Sequence, residues 1–146
     1  MTSYHFYEGK KNEIDKILIL LHEFGEEFPS LGYPSFDMLK LKSRVLYFIE
    51  HGKLILINDV NKNKLVGLAI LHQTEFLWST EQLLNIQTMF ISKKYRSYEL
   101  FNQLMKIIKN QAKELPIHMS ISTKLIADNL MARAGFEKMG NIWRLS

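Results

Sequence analysis

Lys93, Lys94 and Arg96 sit together between a strand-patterned stretch and a helix-patterned one, and no other grouping in the chain is as well suited to chemistry. The first turn of a helix offers unpaired backbone N–H groups and a partial positive charge, so three cations at its mouth make a natural seat for an anion such as a phosphate. Turns of this kind usually carry glycines, which let backbone approach the ligand, whereas no glycine occurs between Gly67 and Gly135. Two readings stand side by side: an anion cradle, or an ordinary strand-to-helix connection with solvated lysines.

The elements that hold this turn are legible from periodicity. Leu84, Ile86, Thr88 and Phe90 alternate with Asn85, Gln87, Met89 and Ile91, so Leu83–Ile91 reads as a strand with two different faces. From Tyr98 the period becomes helical. Leu100, Leu104, Ile107, Ile108 and Ala112 form one stripe opposite Asn102, Lys106, Lys109, Asn110 and Lys113, and the helix must stop before Pro116.

Upstream, Tyr4–Glu8 reads as a short strand, and Asn12 as the cap of a helix with Ile14, Ile17, Leu18, Leu21 and Phe24 inward, ending near Gly25 and Pro29. The stretch from Gly25 to Pro34 has neither period and reads as a structured loop. Its Phe28, Leu31 and Tyr33 either line a site or cover the end of the core. Ser35 is the expected N-cap of a second helix, with Met38, Leu39, Leu46 and Ile49 on its buried side and Gly52 as its C-terminal cap.

Lys53–Asn58 and Lys64–Trp78 read as strands joined by the polar turn Asp59–Asn63, and the second is apolar on both faces over Leu65–Leu71, as a central strand is. Ser79–Gln82 closes a hairpin into Leu83–Ile91. Then come a strand at Ile117–Ile121, a helix at Lys124–Ala134 capped by Gly135, and short strands at Phe136–Gly140 and Ile142–Leu145. The order β-α-α-β-β-β-α-β-α-β-β predicts one α/β domain over residues 1–146, a mixed central sheet with helices on both faces. Its parallel crossover is the helix that follows the basic turn.

Composition narrows the function. With 47% hydrophobic residues among 146, the chain can bury a sizeable core. No apolar run approaches the ~20 residues of a membrane span, and the start lacks a signal peptide's apolar region, so a cytoplasmic protein is expected. The absence of cysteine excludes disulfides and thiolate catalysis, and the histidines at 5, 22, 51, 72 and 118 lack metal-ligand spacing. The net charge of +4 is spread lysine with no basic stripe or reading helix, which argues against nucleic acid as a partner.

This order of elements, together with Val66-Gly67, Ile91-Ser-Lys-Lys-Tyr-Arg96 and Ala134-Gly-Phe-Glu137, resembles the GCN5-related N-acetyltransferase (GNAT) superfamily over essentially the whole chain. There a hydrophobic strand leads into Arg/Gln-x-x-Gly-x-Gly/Ala, whose backbone amides hold the pyrophosphate of acetyl-CoA. Arg96 matches the first position, while Glu99 and Phe101 replace the two glycines. Met131-Ala-Arg-Ala-Gly-Phe136 resembles the superfamily's Tyr-x-x-x-Gly-Phe, with Met131 in place of a tyrosine that protonates the leaving thiolate. Gly140-Asn-Ile-Trp-Arg144 and the Tyr-Arg-Ser turn resemble divergent members encoded by bacteriophages.

The resemblance implies acetyl transfer from acetyl-CoA to an amine acceptor, small molecule or protein, with the cofactor held by Met89, Phe90, Ile91, Arg96, Ser97, Tyr98, Glu99, Leu100 and Phe101. It also implies a bulge near Thr88–Phe90 and a splay from Ile117–Ile121 that opens a slot for the pantetheine arm. Where members often carry a glutamate this chain has Asn85 and Gln87, which leaves His72 or Glu75 as base and water or Tyr98 as the acid. A carboxylate at Glu99 within about 5 Å of a phosphate costs about 3 kcal/mol at an effective dielectric near 20, unless it turns to solvent or to Lys93 or Lys94. Phe101 must either rotate into the core or fill the pyrophosphate site. A slot filled by Phe101 or Tyr98 would make the chain a catalytically inactive binding or virion-associated protein of the same fold. Superfamily members often pair as homodimers, for which the residues around Tyr33 and Trp78 are candidate contacts.

Overall fold

The computed structural model describes residues 2–31, 34–120, 128–140, 143 and 145. The elements are β1 (Tyr4–Glu8), α1 (Ile14–Glu27), α2 (Met38–His51), β2 (Lys53–Asp59), β3 (Lys64–Glu75), β4 (Gln82–Ile91), α3 (Tyr98–Ala112), β5 (Ile117–Met119) and α4 (Asp128–Arg133), with short 3-10 turns at Lys11–Glu13, Pro29–Leu31 and Lys93–Tyr95. The sheet runs β1-β2-β3-β4-β5. Its pairings are antiparallel except β4 with β5, which is parallel across the α3 crossover. No described helix is long and apolar enough to cross a membrane.

Each face of the sheet carries its own core, because β2 and β3 are apolar at consecutive positions and send alternate side chains to opposite sides. Leu54, Leu56, Leu68, Ile70 and Phe90 pack under Ile17, Leu20 and Leu21 of α1 and Val45 and Phe48 of α2. Ile55, Ile57, Val66, Ala69, Leu71, Leu84, Ile86 and Ile91 pack under Leu100, Phe101, Leu104, Met105, Ile108 and Ala112 of α3. Burying side chains of this size is worth about 1.5–3 kcal/mol each, which fixes α3, and so its first turn, against β4.

Several expected boundaries move, each for a local reason. α1 begins after the Lys11–Glu13 turn, not at an Asn12 cap, and runs through Gly25 to Glu27. A Cβ at Gly25 would lie 2.9 Å from Cδ2 of Phe36, so this glycine permits close packing and does not end the helix. Asp37, not Ser35, caps α2, accepting from the N–H groups of Leu39 and Lys40. A carboxylate is the stronger acceptor at the positive end of the helix. The helix so phased leaves Leu39 exposed, with Val45 and Phe48 as its buried residues.

β3 ends at Glu75, earlier than the expected Trp78. Residues 136–140 form no strand. The expected strand residue Ile121, the helix residues Lys124–Ala127 and Ile142 and Arg144 of the expected strand Ile142–Leu145 lie outside the described residues, as do Tyr33 and the side chain of Leu31, while Trp143 and Leu145 are described outside any strand.

Candidate active site

The basic turn is held from three sides. Ser92, buried, donates its N–H to the Val66 carbonyl (2.8 Å) and its hydroxyl to Glu23 of α1 (3.0 Å). The Tyr95 hydroxyl donates to Asp59 at 2.7 Å, tying the turn to the end of β2. That bond, aided by the N–H groups of Lys62 and Asn61 against the opposing effect of burial, holds the Asp59 carboxyl below its ordinary range; the same bond raises the Tyr95 phenol. Arg96 donates from Nε to the Ile91 carbonyl (2.7 Å), and its Nη2 lies 2.9 Å from both carboxylate oxygens of Glu27. Its charge is therefore already partnered, and its main office is to fold the turn back onto α1.

The first turn of α3 is capped by Ser97, whose hydroxyl accepts from the Leu100 N–H (3.1 Å) and whose carbonyl accepts from the Phe101 N–H (3.1 Å). The N–H groups of Tyr98 and Glu99 precede the first intrahelical bonds and have no partner among the described residues. Glu99 is exposed. Phe101 is 6% exposed and packs with the core under α3, so the ring has gone inward and does not lie over the helix end. Beside the turn lies a recess of about 410 Å³ lined by Thr2, Tyr4, Asp59, Lys62, Lys94, Tyr95, Arg96 and Ser97. Lys62 joins this wall from the β2–β3 turn, a contribution with no local sequence signal, because only the sheet register brings it there.

β4 is irregular where chemistry would need it. Ile70 pairs with Thr88 and Leu71 with Ile86, so Gln87 is an extra residue in the ladder, one position before the expected Thr88–Phe90. On its other edge β4 pairs with β5 only over Leu84–Ile86, against Ile117–Met119. Beyond that point the outer edge of Gln87–Ile91, including Met89 and Phe90, has no strand partner among the described residues.

The expected catalytic side chains are not gathered at one point. His72 lies on the α2 side of β3, its ring edge-to-face with Phe48 at 5.6 Å, and its buried Nδ1 has no hydrogen-bond partner among the described residues. Glu75 lies three residues on, so it faces the opposite side; it is exposed and accepts from Gln82 Nε2 at 3.2 Å. Tyr98 opens α3 on the side of α4, with the Arg133 guanidinium 3.6 Å above its ring and its hydroxyl donating to the Arg133 carbonyl at 3.4 Å.

Register does bring one unforeseen residue beside His72. His72 pairs with Asn85, and Asn85 with His118 of β5, which puts the three side chains in a row on one face of the sheet. Phe76 covers His118 edge-to-face at 5.4 Å. Alternation in the sequence already put His118 on the polar side of its strand, but no sequence signal gave the register. At the far end of β4 on this face, Phe24 stacks on Phe90 at 4.6 Å, and Phe28 and Phe36 complete the cluster, so Phe28 closes the core at the end of α1.

A mixed five-stranded sheet with α1 and α2 on one face, α3 on the other, a bulged β4 and a parallel β5 after the α3 crossover defines the acyl-CoA N-acyltransferase (GNAT) fold. Solved structures bear this out. The chain is similar to a possible acetyltransferase from Clostridium difficile 630, with a TM-score of 0.74, 18% identity and 98% and 97% of the two chains covered. It is similar to a GNAT family acetyltransferase of Staphylococcus aureus, with a TM-score of 0.66, 18% identity and 99% and 98% covered. A predicted acetyltransferase of Clostridium acetobutylicum, solved with acetyl-CoA, has a TM-score of 0.75, 16% identity and 99% and 96% covered. No protein-family model and no curated protein matches the sequence.

Proposed function

We propose that the chain is an acetyl-CoA-dependent N-acetyltransferase acting on an amine acceptor in the cytoplasm. The observation that carries this is the bulge at Gln87, followed by an unpartnered β4 edge that leads to the open first turn of α3, with Phe101 withdrawn into the core. An extended pantetheine arm would add to that edge through the backbone of Met89, Phe90 and Ile91 as a strand does. The pyrophosphate would meet the N–H groups of Tyr98 and Glu99, with Lys62 and Lys94 as the nearby cations and Ser97 and Leu100 shaping the turn. Arg96 supports the turn instead of binding phosphate. The inward Phe101 answers the difficulty its size raises, and the exposure of Glu99 lets its carboxylate stand in water, where its repulsion is small.

In the reaction the amine nitrogen attacks the thioester carbonyl, the C–N bond forms, the C–S bond breaks and the thiolate leaves. His72 is the base that the register favours, since it pairs with Asn85, two residues before the bulge, on the α2 face of the sheet, whereas Glu75 is on the other face. Tyr98 is near the turn, but its hydroxyl is engaged, so the thiolate takes its proton from water.

The contact between Tyr98 and Arg133 favours a second reading, a catalytically inactive member of the fold, because it joins α3 to α4 across one flank of the turn. Isothermal titration with acetyl-CoA and desulfo-CoA at low and moderate salt separates the two. Micromolar, salt-weakened binding supports the enzyme, and no heat at millimolar ligand would sink it.

A further inference from the structure

We propose that Glu23 and Glu27 of α1 are positioning residues for acetyl-CoA: they clamp the two ends of the glycine-free basic turn and so fix where the Tyr98 and Glu99 N–H groups point. This role rests on the acetyltransferase reading and goes beyond it, because it makes cofactor affinity depend on two side chains of a helix that packs on the opposite face of the sheet from α3.

The backbone alone holds the turn weakly. The Tyr95 N–H donates to the Ser92 carbonyl at 2.8 Å, but the Arg96 N–H reaches the Lys93 carbonyl only at 3.4 Å, beyond the usual range of such bonds. Arg96 and Ser97 then run extended, with φ/ψ of −67°/121° and −150°/156°. The core fixes the axis of α3, but its first buried residue is Leu100, so the rim formed by Tyr98 and Glu99 lies beyond that anchorage. Side chains must set the direction of the rim.

Glu23 and Glu27 are one helical turn apart and leave the same face of α1. Their partners are likewise four residues apart, at the start and the end of the basic turn. Glu23 accepts from the buried Ser92 hydroxyl at 3.0 Å. Both carboxylate oxygens of Glu27 lie 2.9 Å from Arg96 Nη2, while Arg96 Nε donates to the Ile91 carbonyl at 2.7 Å. The guanidinium lies 5.4 Å over the Phe90 ring, on which Phe24 of α1 stacks at 4.6 Å. Arg96 directly precedes the Ser97 cap, so holding its side chain holds the entry to α3. Glu26, between the two clamping residues, is exposed and pairs with His22 at 3.3 Å instead.

Losing Glu27 has two opposed effects on anion binding. The freed Arg96 cation attracts the anion, and the released turn must be ordered when the anion binds. The side chains of the pair are 42% and 31% exposed, so the attraction is screened over a Debye length of about 8 Å at physiological salt, whereas the ordering cost is not. At moderate salt the ordering cost wins.

The test titrates acetyl-CoA into the parent and the variants at about 0.3 M salt, where screening is strong, and follows acetyl transfer at saturating acetyl-CoA. Glu27→Ala should weaken binding about tenfold with kcat within about twofold of the parent, and Glu27→Gln, which keeps one acceptor oxygen, should recover part of the loss. Glu23→Ala should weaken binding at least about threefold, and Glu26→Ala should leave it unchanged. Because Glu27 acts through Arg96, the double variant Glu27→Ala/Arg96→Ala should bind no more weakly than Arg96→Ala. In the free protein, amide hydrogen exchange at Tyr95 and Arg96 should quicken about tenfold in Glu27→Ala while exchange at Ile108, in the core of α3, stays the same. The proposal is overturned if Glu27→Ala binds acetyl-CoA as tightly as the parent or more tightly, if the losses in Glu27→Ala and Arg96→Ala add, or if exchange at Tyr95 and Arg96 is unchanged. If the parent itself does not bind acetyl-CoA, the acetyltransferase reading has failed and the positioning role falls with it.

Discussion

Replacing Phe101 by alanine separates two places the ring could occupy, and only one of them leaves room for a cofactor. The side chain is 6% exposed, one position into the second turn of α3, and packed in the core with Leu104, Met105 and Ile91. Removing a buried phenyl group costs about 3–5 kcal/mol, through lost transfer energy and the cavity left behind. In a chain of this size each kcal/mol moves the midpoint by about 2–4 °C, so Phe101→Ala should melt about 10 °C lower in a circular-dichroism scan. Acetyl-CoA affinity at a temperature where the variant is folded should hold, because the ring packs inward beside the Tyr98 ring (centroids 6.5 Å apart) and does not lie over the helix end. A melting point within about 2 °C of the parent, joined to a tenfold gain in acetyl-CoA affinity, would put the ring over the pyrophosphate site and refute the packing argument.

Glu99→Gln removes a negative charge from the anion's neighbourhood and from a helix N-terminus at once. Acetyl-CoA binding should tighten about two- to fivefold at low salt and lose that gain at high salt, while α3 loses about 0.3–1 kcal/mol of dipole stabilisation. Tyr95→Phe removes the largest cause of the lowered Asp59 pKa. A lowered carboxyl pKa contributes stability above the ordinary carboxylate range that is lost as pH falls, so parent and variant should differ at neutral pH and converge in acid. Tyr7 behaves in the opposite sense: burial, then its 2.7 Å bond to Glu13, pushes its phenol up to about 12. The advantage of the parent over Tyr7→Phe should be full below pH 10, the ordinary phenol value, and vanish toward pH 12 in urea-unfolding series.

The sheet and its crossover were legible because their signals are local and strong. The double-sided apolar run in β3, the period change at Tyr98 and the turn at Asp59–Asn63 each follow from a few neighbouring residues. The end of α1 was misread because glycine has two uses, and Gly25 serves close approach to Phe36 instead of termination. The cap of α2 was misplaced by two residues because Ser35 and Asp37 are both good caps, and the choice depends on Phe36 packing with Phe24 and Phe28.

The candidate site was legible in its basic turn and in the odd chemistry of Asn85, Gln87, Glu99 and Phe101, but not in its assembly. Parallel pairing of β4 with β5 brings His118 to Asn85 across more than thirty intervening residues, and the antiparallel hairpin brings His72 from the other side. Neither register is written in composition or periodicity. Arg96 shows the converse limit, since its type fits an anion site while its partners, Glu27 and the Ile91 carbonyl, make it a brace. Only three-dimensional pairing distinguishes those roles.

The most direct test of the central claim is amide-resolved NMR of the protein titrated with acetyl-CoA. The account predicts the largest shifts at the backbone of Met89, Phe90 and Ile91, at the N–H groups of Tyr98 and Glu99, and at Gln87 in the bulge. Shifts confined to other surfaces, or none at millimolar acetyl-CoA, would contradict it.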